Sequence, residues 1–133
     1  MAKFSARSNS KLAKCHPDLR RLAEAVVKDF DCTVVTGYRG KLMQTLKYKQ
    51  GLSKVKFPNS KHNSTPSMAI DLAPYIKGKG CVWEPRQCYY FSGFVIATAH
   101  SLGIKIRTGA DWDMDNDVND QEFRDACHFE LVE

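Results

Sequence analysis

Helical and alternating apolar patterns follow one another along this chain at short, irregular intervals, and that alternation narrows the possible folds most. Leu19, Leu22, Ala23, Val26 and Val27 recur at helical spacing after the start signal His16-Pro17-Asp18, so a helix is expected to about Asp29. Cys32-Thr33-Val34-Val35-Thr36 is a β-branched run and reads as a strand ended by Gly37. Lys41 to Gln50 reads as a second helix, with Leu42, Leu46 and Lys49 on successive turns and Gly51 beyond its end. Residues 52–67 are rich in Lys, Ser, Asn and Pro and read as a loop. Met68 to Ala73 is the next strand, stopped by Pro74. Tyr89 to Leu102 is a mostly apolar helix at the back of the core, ended by Gly103. Ile104 to Arg107 alternates as a strand, an acidic loop runs from Asp111 to Asp125, and His128 to Val132 is the closing strand. Elements mixed in this order with short connections predict an α+β fold, a small antiparallel sheet packed against helices.

A chain of 133 residues fits a single domain, 1–133, and is long enough to bury a core without disulfides. Residues 1–14, polar and basic, are expected as a loosely packed lead-in. No stretch approaches the ~18 apolar residues of a membrane helix, so no membrane span is expected. Met1-Ala2-Lys3-Phe4-Ser5-Ala6-Arg7 carries charge with no apolar run after it, so no secretory signal is expected. Charge is uneven: residues 1–61 hold 14 Lys+Arg against 4 Asp+Glu, and residues 62–133 hold 6 against 11. The basic half favours a polyanionic partner such as nucleic acid, anionic lipid or wall polymer. Cys15, Cys32, Cys81, Cys88 and Cys127 form no C-x-x-C pair, and reduced, mostly buried thiols are expected, with a Cys81–Cys88 bridge as the alternative.

Alternation along Met68 to Ala73 puts Ala69, Asp71 and Ala73 on one face, with open space expected around the carboxylate, and Ile70 and Leu72 on the other. In the last strand His128 and Glu130 share a face, and Cys127, Phe129 and Leu131 share the core face. His62 precedes the Asp71 strand, and Asp125 lies three residues before His128 in the entering loop. Two His and one Asp from separate segments can form a three-ligand zinc site with an open position for water. A carboxylate beside that water, from Asp125, would complete a metallohydrolase. There is no H-E-x-x-H, which excludes the zincins.

Ser60-Lys61-His62…Ala69-Ile70-Asp71-Leu72-Ala73-Pro74-Tyr75 resembles the S-x-H…A-x-D signature of the zinc peptidases comprising D-alanyl-D-alanine carboxypeptidases and L-alanyl-D-glutamate peptidases. These share a fold with the hedgehog signalling domain. Asp125-Ala126-Cys127-His128-Phe129-Glu130-Leu131 resembles their second motif, an acid shortly before a metal-binding His. Leu12…His16-Pro17-Asp18-Leu19, Gly37-Tyr38-Arg39…Gln44 and Gly109-Ala110-Asp111-Trp112 resemble the phage branch. The loop between His62 and Asp71 is longer than is common in the family and lacks its Gly.

The resemblance implies zinc on His62, Asp71 and His128, Asp125 as proton carrier, and Arg39 as the group that steadies the oxyanion. It implies a phage endolysin acting on bacterial peptidoglycan, with the L-alanyl–D-glutamate bond as the expected site of cleavage and D-alanyl–D-alanine as the alternative. Such an enzyme is expected as a monomer, collecting in the host cytoplasm and reaching the wall after membrane permeabilisation. Asp111, Asp113, Asp115, Asp117, Asn119 and Glu122 fall at a calcium-loop spacing, with Asn116 where such a loop has Gly, so Ca2+ joins Zn2+ as a possible cofactor beside the plainer reading of a solvated acidic loop. Two rivals remain. A hedgehog-like zinc module without catalysis has no need of Asp125. A nucleic-acid-binding protein, proposed by charge alone, predicts steep salt dependence and no metal dependence, and the metal motifs argue against it.

Overall fold

The computed structural model describes residues 2–120 and 125–132. In chain order the elements are α1 (Ala6–Leu12), α2 (Pro17–Asp29), β1 (Cys32–Thr36), α3 (Lys41–Lys49), β2 (Ala69–Ile76), β3 (Gly80–Cys81), α4 (Pro85–Ser101), β4 (Ile106–Gly109) and β5 (Asp125–Leu131), with a 3-10 turn at Lys61–Asn63. The strands form an antiparallel sheet in the order β1-β2-β5-β4, with the short β3 paired to the far end of β2.

Helices α2 and α4 bury the apolar stripes that their spacing foreshadows. Leu19, Leu22 and Val26 from α2 meet Phe91 and Val95 from α4 and Ile70, Leu72, Phe129 and Leu131 from the sheet. His16 starts α2, its ring Nδ1 accepting from the Asp18 N–H at 3.0 Å. No helix among the described residues is long and apolar enough to cross a membrane.

Several expectations need correction. The lead-in is not loose. It folds into α1, which buries Leu12 and Ser8, and the Ser8 hydroxyl accepts from the Val34 N–H at 3.1 Å. Among the described residues strand β1 has a sheet neighbour on one side, and on the other α1 satisfies backbone groups of its edge. Pro74 does not stop β2. Its carbonyl accepts from Val82, and its missing N–H falls between the segments of β2 paired to β5 and to β3. Helix α4 starts four residues before Tyr89, at Pro85, because Glu84 caps it by accepting from the N–H groups of Arg86 and Gln87. Helix α3 lies where expected, but Leu42 and Leu46 are exposed and Gln44 is its buried residue.

Both faces of the sheet centre are covered. Ala69 and Ala73 are fully buried, so the small side chains beside Asp71 admit neighbours rather than leaving open space. The register sets Asp71 of β2 directly opposite His128 of β5.

Candidate metal centre and active site

His62 stands in the 3-10 turn, whose start is capped by Ser60. The Arg39 N–H donates to the His62 carbonyl at 2.8 Å, and the Met68 N–H to the Lys61 carbonyl at 3.0 Å. These bonds fasten the loop over the sheet although it is longer than is common in the resembling family. His62 is 1% exposed. Its Nδ1 lies 2.7 Å from the Gly37 carbonyl, which only accepts, so the ring hydrogen sits there and Nε2 keeps its lone pair.

His128 has the opposite arrangement. Its Nε2 lies 2.8 Å from Glu130 Oε1, so in the neutral ring Nε2 donates and Nδ1 keeps the lone pair. His62 Nε2 and His128 Nδ1 are 3.2 Å apart, and Asp71 Oδ1 is 3.2 Å from the first and 3.0 Å from the second. Three lone-pair atoms therefore converge on one point from three segments. A tetrahedral ion with bonds of ~2.0–2.1 Å holds its ligands about 3.4 Å apart, so the triangle fits such an ion to within a few tenths of an ångström. Two imidazoles and a carboxylate oxygen are also a donor set that zinc accepts.

The same crowding sets the acidities. Burial alone would push the Asp71 carboxyl up, but the charges and hydrogen bonds of His62 and His128 outweigh it and hold it well below the usual range. Burial opposes charge on His128, yet its bonds to Asp71 and Glu130 push it up to about 9, so a metal at Nδ1 would have to displace a proton. Burial likewise disfavours a charged Glu130, and hydrogen bonds from His128 and Arg107 hold it at about 2.

Around the triangle lies a cleft of about 380 Å³, lined by Arg39, Lys54, Lys61, Arg107, Trp112 and Asp125 among others. The Arg39 guanidinium lies 3.5 Å from Asp71 Oδ2 and donates to Gln44 Oε1 at 3.1 Å. Gln44 is fully buried because its remaining groups are spent as well: its amide donates to Ser53 Oγ at 2.9 Å and to the Val55 carbonyl at 2.8 Å. Asp125 is the first residue of β5 rather than part of the loop before it, and it pairs with Gly109. Burial first and the Asp71 charge second raise its pKa, against His128, His62 and Arg39.

His62, His128, Arg39 and Asp125 thus line one cleft, and Asp71 lies within 3.2 Å of both imidazoles. In the acidic loop Asp111, Asp113 and Asp115 bring carboxylate oxygens within 4.8 Å of one another. Asp117 instead accepts from the Asn119 N–H at 2.9 Å, and Glu122 lies outside the described residues. Asn116 adopts φ 67°, the left-handed conformation that a Gly would supply in a calcium loop. All five cysteines are free thiols and there is no Cys81–Cys88 bridge. Cys127 faces the core, as alternation predicts, and contacts Cys88 rather than the metal triangle. Sequence reasoning gave no role to Glu130, Trp112 or Lys61. The signal for Glu130 was its place two residues after His128 on the same strand face.

A family described as phage L-alanyl-D-glutamate peptidase matches residues 1–132. The L-alanyl-D-glutamate peptidase of Escherichia phage T5 is 34% identical over 136 residues, with 98% of each chain covered. Among solved structures, the L-Ala D-Glu endopeptidase ChiX of Serratia marcescens superposes with a TM-score of 0.76 at 24% identity, over 98% of this chain and 90% of that one. That likeness carries the fold: α+β, with a small antiparallel sheet against helices. On the match along nearly its whole length, the chain belongs to the phage L-alanyl-D-glutamate peptidase family.

Proposed function

We propose that this chain is a zinc-dependent endopeptidase that hydrolyses the L-alanyl–D-glutamate bond in the peptide stem of bacterial peptidoglycan, serving a phage as its endolysin. The observation that carries the chemistry is the triangle of His62 Nε2, Asp71 Oδ1 and His128 Nδ1, with sides of 3.0–3.2 Å, opening on a cleft. These three atoms would hold the ion. When bound, zinc supplies a Lewis acid for the scissile carbonyl and lowers the pKa of water at its open position.

Asp125, half-buried at the cleft wall, is suited to take the proton of the attacking water and return it to the leaving amine. Arg39, anchored through Gln44 and Asp71, presents a fixed cation for the oxygen that gains charge as the carbonyl is attacked. The choice of bond rests on the names of the relatives; removal of a terminal D-alanine is the alternative. Mass spectrometry of digested peptidoglycan decides. Fragments with a new amino terminus at D-glutamate are expected, and free D-alanine as the main product would overturn the bond assignment. We read the protein as a monomer that acts on the wall once the inner membrane has been breached.

A second reading concerns the acidic loop, proposed as a weak Ca2+ site on Asp111, Asp113 and Asp115 with Asp117 adjacent. Its support is the convergence of the first three carboxylates and the left-handed Asn116. Calorimetry should show heat at millimolar calcium in the parent and none in Asp113→Ala plus Asp115→Ala; no heat in the parent leaves the loop merely solvated.

A further inference from the structure

His128 can offer a metal its Nδ1 only if the single hydrogen of the neutral ring stays on Nε2. Nothing inside the triangle enforces that, because a ring with its hydrogen on Nδ1 would find an acceptor in Asp71. The group that enforces it lies on the far side of the ring. Alternation along β5 brings Glu130 to the face of His128, where it is 6% exposed. Its two oxygens have separate partners. Oε1 is 2.8 Å from His128 Nε2. Oε2 takes the Arg107 guanidinium at 2.5 Å, with Lys61 Nζ at 3.5 Å. The rings of His62 and Trp112 lie against the imidazole, with centroids at 5.0 and 5.3 Å, and restrict its rotation.

We propose that Glu130 is a positioning residue whose Oε1, fixed by the hold of Arg107 on Oε2, dictates the His128 tautomer and so turns the Nδ1 lone pair toward His62 and Asp71. The inference rests on the zinc reading above but not on which bond is cut. Partners of this kind orient metal-binding imidazoles generally.

The hold of Arg107 makes the consequence specific. Arg107 and Lys61 carry only donors. In Glu130→Gln they claim the amide oxygen, and the amide NH2 is left against His128 Nε2. Nε2 must then accept, and the ring hydrogen moves to Nδ1, where it points at the metal position. Glu130→Ala removes the constraint without reversing it. The shape-conserving change is thus the more damaging one, which a role in packing alone would not produce.

The experiment measures zinc affinity by competition with a chromophoric chelator for the parent, Glu130→Ala and Glu130→Gln, with thermal unfolding of each metal-free form to verify folding. Glu130→Ala should lose roughly 10–100-fold in affinity, and Glu130→Gln should lose more. Glu130→Gln binding as well as or better than Glu130→Ala would overturn the inference while leaving the zinc reading intact. A parent that binds no zinc would sink both. A readout independent of the variants is 15N NMR of the zinc-loaded parent. A hydrogen on His128 Nε2 and none on Nδ1 is expected, and the reverse overturns the proposal even if neither variant folds.

Discussion

Asp71 and Asp125 are acids beside the same two imidazoles whose surroundings pull them apart. Two imidazoles face Asp71 and keep it ionised, the form that a metal ligand needs. Asp125 has burial and the Asp71 charge against its ionisation, which suits a group that must accept and then release a proton. Asp125→Ala should therefore keep zinc and fold while wall lysis falls by roughly 10²–10⁴-fold. Asp71→Ala should lose metal and activity together. Lysis rate beside zinc content in both variants checks this, and parent-level lysis by Asp125→Ala would refute the assignment. The same shift fixes a pH dependence. The base form of Asp125 exists above its pKa and is lost as pH falls through it. Since that pKa is raised, the acid limb of lysis should lie above the ordinary carboxylate value of ~3.9. Rate profiles with zinc content followed in parallel test this; a limb at or below that value, with zinc retained, would contradict it.

Among the elements, β4 and β5 decide where Asp125 stands. Thr108 pairs with Phe129, yet the next residue, Gly109, pairs with Asp125, so β5 gains extra residues there. A Cβ on Gly109 would meet the Asp125 carbonyl oxygen at 2.1 Å. G109A should push the start of β5 outward, lowering kcat while zinc stays bound; unchanged kcat would show that the contact has no bearing on Asp125. This register shift is also why sequence reading put Asp125 in a loop, since period-two alternation cannot count residues across a bulge. What was legible followed from local rules: the β-branched run of β1, the stripe of α2, and the shared face of His128 and Glu130. Burial that depends on distant polar partners was not legible. Helix α3 shows it best, where Gln44 is buried because Arg39, Ser53, Val55 and Asn63 satisfy its polar groups. Helix α1 is the other case, since it is the edge of β1, far along the chain, that gives the Ser8 hydroxyl its partner.

Across the whole molecule the metal triangle joins distant parts of the chain. His62 and His128 are 66 residues apart, and Asp71 and His128 are 57 apart. Since a site of this kind does not exist in the unfolded chain, metal binding at it would add to folding stability. At a thousandfold excess of free zinc over Kd the gain is about 4 kcal/mol, which for a chain of this size raises Tm by on the order of 10 °C. Calorimetric scans with zinc and with chelator measure it, and coincident transitions would mean that no ion is held. Among the described residues, strand β5 faces β2 in three residue pairs, and one of them is Asp71 with His128. An ion there would work as a rivet through that short seam. Drawing it out should fray the last strand before the helices loosen, so that a chelator not only stops the enzyme but exposes its tail to proteases, and the supply of metal sets how long the protein survives.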